Sequence, residues 1–162
     1  MRMGAVVIAV LGVGCSSSGS DDKVASSAKP KVVDLADVGL RFDLPAGADA
    51  VGNGDTATLT QASCTVTLRK LAADAPTETL DQIFARMKAR PGFVEKTSHA
   101  LTVKGPTVEW TEKDDQGNLV YALERRYLYG ESAEYQVQGS CTNKDDILPI
   151  RLTLRDKITP LP

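Results

Sequence analysis

Beyond residue 30 the chain alternates apolar and polar positions in short runs, and the period changes along its length. Val32-Val33-Asp34-Leu35 opens the folded part, and Leu40, Phe42 and Leu44 follow at every second position. That spacing predicts a half-buried strand, which Pro45 and Gly47 end. Residues 56–61 and 64–71 alternate again across Ala62-Ser63, a connection short enough to predict a hairpin. Leu80, Ile83, Phe84 and Met87 then stand at i, i+3, i+4 and i+7, the pattern of an amphipathic helix. Thr79 and Gln82 have the spacing of a capping box, Arg86, Lys88 and Arg90 complement the dipole at the far end, and Pro91-Gly92 stops the helix.

Strands resume over 94–104, 107–113, 119–129 and 133–141. The breaks between them are Gly105-Pro106, the loop Asp114-Asp115-Gln116-Gly117-Asn118 and the turn Gly130-Glu131-Ser132. With a three-residue turn, the last hairpin sets Tyr127 against Tyr135, Leu123 against Gly139 and Tyr121 against Cys141. Arg125 shares that apolar face, where a charge must pair, snorkel or serve a site, and an edge-of-core arginine paired with a nearby carboxylate is expected over a ligand site. The stretch 145–158 fits two periods. Leu148, Ile150, Leu152 and Leu154 alternate like a strand, whereas Ile147, Ile150, Leu154 and Ile158 share one helical face. Asp145 and Asp146 at its start, with Pro149 in a first turn, favour the helix.

The first thirty residues follow another rule. Arg2 precedes an uninterrupted apolar run from Gly4 to Gly14, and Cys15 marks the change to Ser16-Ser17-Ser18-Gly19-Ser20-Asp21-Asp22-Lys23. The run is shorter than the roughly 20 residues of a membrane-spanning helix, so it reads as an export signal. With a cysteine at the junction it resembles a bacterial lipoprotein signal. Gly14 and Val13 suit that motif, while Gly12 stands where its leucine belongs and Leu11 comes one residue early. Gly12-Val13-Gly14 also reads as the cleavage site of an ordinary secretory signal. The lipoprotein resemblance implies removal of residues 1–14, a diacylglycerol on the Cys15 thiol and fatty acylation (palmitate) of its amine. Two or three acyl chains anchor a protein to membrane lipid stably. Ser16 rather than Asp after the cysteine resembles the Gram-negative signal for the outer membrane, periplasmic face, over the inner membrane. Residues 15–30 read as a disordered tether and 31–162 as one α+β domain.

The three cysteines agree with export. With Cys15 lipidated, Cys64 and Cys141 remain as a pair in an oxidising compartment, which predicts one disulfide. Both are in phase with apolar neighbours, so two separate buried thiols are the alternative. Charge narrows the partners. The chain carries 19 Lys+Arg and 21 Asp+Glu, and loss of Arg2 with the signal leaves 18 against 21. An acidic domain of this kind has no basic footprint for nucleic acid and no polybasic segment for anionic lipid. Aromatic residues are 5% of the chain, so the core must rest on Val, Leu and Ile.

The opening Gly39-Leu40-Arg41-Phe42-Asp43-Leu44-Pro45-Ala46-Gly47, the helix 80–90 and the long hairpin ending at Cys141 before a terminal helix resemble the PsbP-like family, whose bacterial members include DcrB-type lipoproteins. The resemblance covers about residues 38–158. Ala48 and Asp49 stand where the family often has a tryptophan. It implies an antiparallel β-sheet flanked by helices, an α/β/α sandwich.

Candidate chemistry is sparse. His99 is the single histidine, too few to build a metal site with the spacing zinc requires. Ser26-Ser27-Ala28-Lys29 matches a Ser-x-x-Lys spacing without its partner motifs, and no nucleophile elbow, zinc-protease motif or phosphate loop is present. The acidic loop 114–118 lacks the ligand spacing of an EF-hand. The sequence therefore predicts no enzyme, no metal and no cofactor. It predicts an envelope lipoprotein that docks a protein partner as an assembly or accessory factor. The alternative is a small-ligand binder with a pocket near Arg125 and the tyrosines.

Overall fold

A computed structural model describes residues 29–76, 78–102, 105–130 and 133–162. The proposed signal, Cys15 and most of the tether lie outside the described residues. The chain forms β1 (Lys31–Leu35), β2 (Leu40–Leu44), β3 (Asp49–Asn53), β4 (Thr56–Gln61), β5 (Cys64–Lys70), α1 (Leu80–Lys88), β6 (Phe93–Thr102), β7 (Gly105–Lys113), β8 (Leu119–Tyr129), β9 (Ala133–Cys141), α2 (Ile147–Asp156) and β10 (Ile158–Pro160). A 3-10 turn over Lys144–Asp146 leads into α2.

Pairing is antiparallel throughout. Seven strands form one sheet in the order β3-β4-β5-β9-β8-β7-β6, and β1-β2-β10 form a second. The β8–β9 register is the one the sequence predicts: Tyr127 opposite Tyr135, Leu123 opposite Gly139 and Tyr121 opposite Cys141. Gly139 also decides how close β5 comes to β9. A Cβ there would stand 2.6 Å from the Thr65 carbonyl oxygen, so only glycine allows this approach. The main core lies between the two sheets. Leu40, Phe42 and Leu44 of β2 meet Leu59, Val66, Leu68, Tyr127, Tyr135 and Val137 of the large sheet, with Ile150 and Leu154 of α2 alongside. A smaller core on the opposite face packs Ile83 and Met87 of α1 against Val108, Trp110 and Ala122.

The helix-flanked α+β fold, and with it the PsbP-like α/β/α sandwich, is overturned. The described chain is mostly strand, and the layer facing the large sheet is a second antiparallel sheet. The molecule is an antiparallel β-sandwich to which two helices are added. Length gives the physical reason. Helices of nine and ten residues are each about 15 Å long. A seven-strand sheet is about 29 Å across, so helices this short cannot cover its faces. The deciding element is β10. The helical stretch stops at Asp156, and Ile158 pairs with Phe42 of β2 instead of continuing the helix. Gly105-Pro106, expected as a break, opens β7 and pairs with Thr102 and Leu101.

The local signals of α1 are realised. Thr79 Oγ1 accepts from the Gln82 amide at 3.3 Å, and Gln82 Oε1 accepts from the Thr79 amide at 2.8 Å. Ile83 and Met87 are buried, with Leu80 and Phe84 packed beside them. Among the described residues no helix is long and apolar enough to cross a membrane.

Candidate functional site

The apolar positions of α2 form two ridges. Ile150 and Leu154 point into the core, and Leu148 and Leu152, also four apart, form the opposite ridge with 59% and 41% of their surface exposed. On the neighbouring sheet, β1 turns Val33 and Leu35 toward the core and leaves Val32 63% exposed. Between them opens a cavity of about 620 Å³, walled by Val32, Leu44, Pro45 and Leu152. Its floor is fixed by Thr153 Oγ1, which donates to Gln61 Oε1 at 2.8 Å. Lys31 at its rim is paired with Asp49 at 2.6 Å. Pro30 also lines the cavity, so the span that leads back to Cys15 enters the domain at the mouth of this groove.

The structure joins Cys64 and Cys141 in a disulfide. They are direct cross-strand neighbours on β5 and β9, and both are buried. These thiols are therefore not available as nucleophiles while the bond is intact.

Arg125 and the tyrosines form a cluster under α2. Tyr127 and Tyr129 stack in parallel at 5.0 Å, and Tyr135 meets Tyr129 edge-on at 5.5 Å. Tyr129 Oη donates to the Leu154 carbonyl at 2.6 Å, and Tyr135 Oη donates to the Val38 carbonyl at 2.7 Å. The Tyr127 hydroxyl is buried with no hydrogen-bond partner among the described residues. The Arg125 guanidinium lies 3.7 Å from the Tyr127 ring centroid. The sequence leads one to expect a carboxylate partner for Arg125, but the structure gives it none among the described residues. Burial foremost, with the nearby charges of Arg151 and Arg155, holds its guanidinium below the ordinary arginine range. Arg125 does not line the 620 Å³ cavity, so the pocket expected beside it lies elsewhere.

The opposite face of the large sheet carries a polar network. Arg86 donates to both Glu78 and Glu124, at 2.9 and 2.6 Å. Burial pushes the Glu124 carboxyl up, but the hydrogen bonds and charge of Arg86 outweigh it and hold the group below its ordinary value. Arg126 donates to the Pro76 carbonyl at 2.8 Å and stands 3.6 Å from Glu134. Arg69, Arg86, Arg126, Gln136 and Gln138 line a second cavity of about 630 Å³ there.

The remaining candidates are accounted for by local structure. His99 is exposed and meets Phe84 edge-on at 5.5 Å. Asp114 accepts from the amides of Gln116 and Asn118, both at 2.9 Å, so its carboxylate serves the turn. Among the described residues no three His, Cys, Asp or Glu side chains converge as a metal-ligand set. Sequence reasoning missed the groove. The signal for it was the double periodicity of α2, because strand-like alternation also arises from a helix with two apolar ridges.

A β-sandwich with a buried cross-strand disulfide and an open apolar groove is the class that fold and site define. No protein family matches the chain, and no curated protein does. Among solved structures, the chain is similar to LpqN, a protein involved in cell envelope biogenesis of Mycobacterium tuberculosis. The two share 16% identity over 82% of this chain and 90% of that chain, with a TM-score of 0.47.

Proposed function

We propose that the protein is a membrane-anchored lipoprotein of the bacterial cell envelope whose non-catalytic domain docks an apolar segment of a partner protein, as an assembly or accessory factor. The observation that carries this reading is the groove between β1, β2 and α2, which opens where the chain from Cys15 enters the domain. Its surface is mostly apolar, and Leu152 at its edge stays 41% exposed. An exposed apolar surface with a polar rim is the usual mark of a docking site. A Ser/Gly/Ala-rich span of this length reaches about 20 Å. The groove would therefore work close to the headgroups to which Cys15 is anchored.

A small ligand held in the same groove is the second reading. The volume favours it, since ligand pockets begin at about 300 Å³ and this cavity holds about 620 Å³. The two readings separate on extraction of the protein from its own envelope in mild detergent. Docking predicts that the wild type runs above monomer size, that Leu152→Glu runs as a monomer, and that Leu119→Glu, exposed at the end of β8, runs as the wild type. A monomeric wild type carrying an extractable small molecule, absent from Leu152→Glu, would replace docking by ligand binding. A monomeric wild type with nothing bound would end both.

A further inference from the structure

Among the buried polar side-chain atoms without a hydrogen-bond partner in the described residues, three are neighbours on one face of the large sheet. They are Thr107 Oγ1 on β7, and Arg125 Nε and Tyr127 Oη on β8. The register sets Thr107 directly opposite Arg125, and Glu109 opposite Leu123 two residues away. Buried polar groups are almost always paired, because leaving one unpaired costs about 1–3 kcal/mol. Three side by side therefore mark a place that something polar completes. The tyrosines sharpen the contrast. Tyr129 and Tyr135 each donate to a backbone carbonyl, while Tyr127, 1% exposed, has no acceptor.

The charged groups around this patch are not equally paired among the described residues. α2 crosses it, since Arg151 reaches Glu109 at 3.1 Å and the Leu154 carbonyl receives Tyr129 Oη. Arg125 lies between those two anchor points along β8. Arg151 holds Glu109, and Arg155 holds Asp156 through two contacts of 2.7 Å. Among the described residues Arg125 has no carboxylate partner, and it rests on the Tyr127 ring. Its positive charge is therefore left half out of water. Such a charge is costly unless an opposite charge completes it.

We propose that Arg125, with the Tyr127 hydroxyl and the guanidinium groups of Arg151 and Arg155, binds an oxyanion of the phosphate class. The Arg125 guanidinium lies on the Tyr127 ring, and Arg151 and Arg155 of α2 are near enough for their charges to act on both groups. That arrangement suits a tetrahedral anion with several acceptor oxygens better than a planar carboxylate. The guanidinium fork matches two phosphate oxygens, and stacking on Tyr127 fixes its plane beforehand. Thr107 Oγ1, across the strand pair, adds a hydroxyl with no other partner. The same chemistry is offered by free phosphate and by a phospholipid headgroup. The site is separate from the groove and does not depend on the docking reading.

The test is an NMR titration of the full chain that follows the Arg125 Nε–H signal. Inorganic phosphate and glycerophosphoglycerol, a headgroup phosphodiester, are the two probes, with sodium chloride at matched ionic strength as the control. A saturable shift is expected, weakened at least tenfold in Arg125→Gln and several-fold in Tyr127→Phe, as followed on neighbouring amides. Arg41→Gln, which removes only an exposed pair with Asp34, should bind as the wild type. Tighter binding of the diester assigns the site to a lipid headgroup, and tighter binding of inorganic phosphate assigns it to the free anion. A response that chloride reproduces overturns the proposal, as does unweakened binding in folded Arg125→Gln. Should Arg125→Gln fail to fold, unweakened binding in Tyr127→Phe overturns it in the same way.

Discussion

Replacing Cys64 and Cys141 together by alanine should cost this protein a large share of its stability. The bond joins residues 77 apart in sequence, in strands that are neighbours in the sheet. In the chain-entropy account, a loop of that length restricts the unfolded chain by about 15 cal/mol/K, which is about 4.5 kcal/mol at 25 °C. A domain of this size is stable by about 5–15 kcal/mol in total. The loss would therefore lower the melting temperature by roughly 15 °C. The bond also sits at a joint of the fold. The β5–β9 pairing connects β3, β4 and β5 to the rest of the large sheet, so the disulfide ties the two halves of that sheet together. Urea unfolding of the wild type, the reduced wild type and the double-alanine variant measures the effect. The two forms lacking the bond should agree with each other and lie about 4 kcal/mol below the oxidised protein. Their m-values should rise, because an unfolded chain without the cross-link exposes more surface. A difference below about 1 kcal/mol would refute the reasoning, since that is far less than a loop of this length restricts.

Gly139→Ala should destabilise by about 1–3 kcal/mol, read as a lower urea midpoint, because the new methyl meets the Thr65 carbonyl and Val66 where β5 and β9 are closest. Acid should weaken the fold through Glu124 and Glu112. Burial raises both carboxyls, but Arg86 at one and Arg90 with Trp110 at the other bring them below the reference value of 4.5. Groups lowered in the folded state contribute stability above the unfolded pKa and lose it as the pH falls through the folded one. Unfolding midpoints should therefore drop below pH 4.5, and Glu124→Gln should flatten that slope while lowering stability at neutral pH. The intact mass of protein from its native membrane fraction should correspond to a chain starting at Cys15 with two or three acyl groups, gaining two hydrogens on reduction. An unmodified chain starting at Met1 would remove the anchor from the account.

What the sequence made legible was local. The β8–β9 register followed from an alternating pattern on both sides of a short turn, and α1 from Thr79, Gln82 and four apolar residues at helical spacing. What it did not carry was the layer opposite the large sheet. β3 buries only Ala50, and β10 is three residues long and includes Pro160, so neither has a period to detect. Membership of β1, β2 and β10 in a separate sheet is a relation between residues more than a hundred positions apart, which alternation alone does not encode. The groove escaped for a related reason. Leu148 and Leu152 fitted a strand-like alternation, and only the placement of Ile150 and Leu154 in the core shows that they form a second, outward ridge. Arg125 was placed on the correct face, but its lack of a carboxylate depends on which residues α2 brings to it.

The central claim is that the groove at the entry of the chain holds a partner protein. Site-specific photo-cross-linking from position 152, in cells, tests it most directly. A probe at Leu152 should yield one discrete protein adduct, and the same probe at Leu119 should not. Adducts with lipid alone, or the same scattered adducts from both positions, would contradict the account.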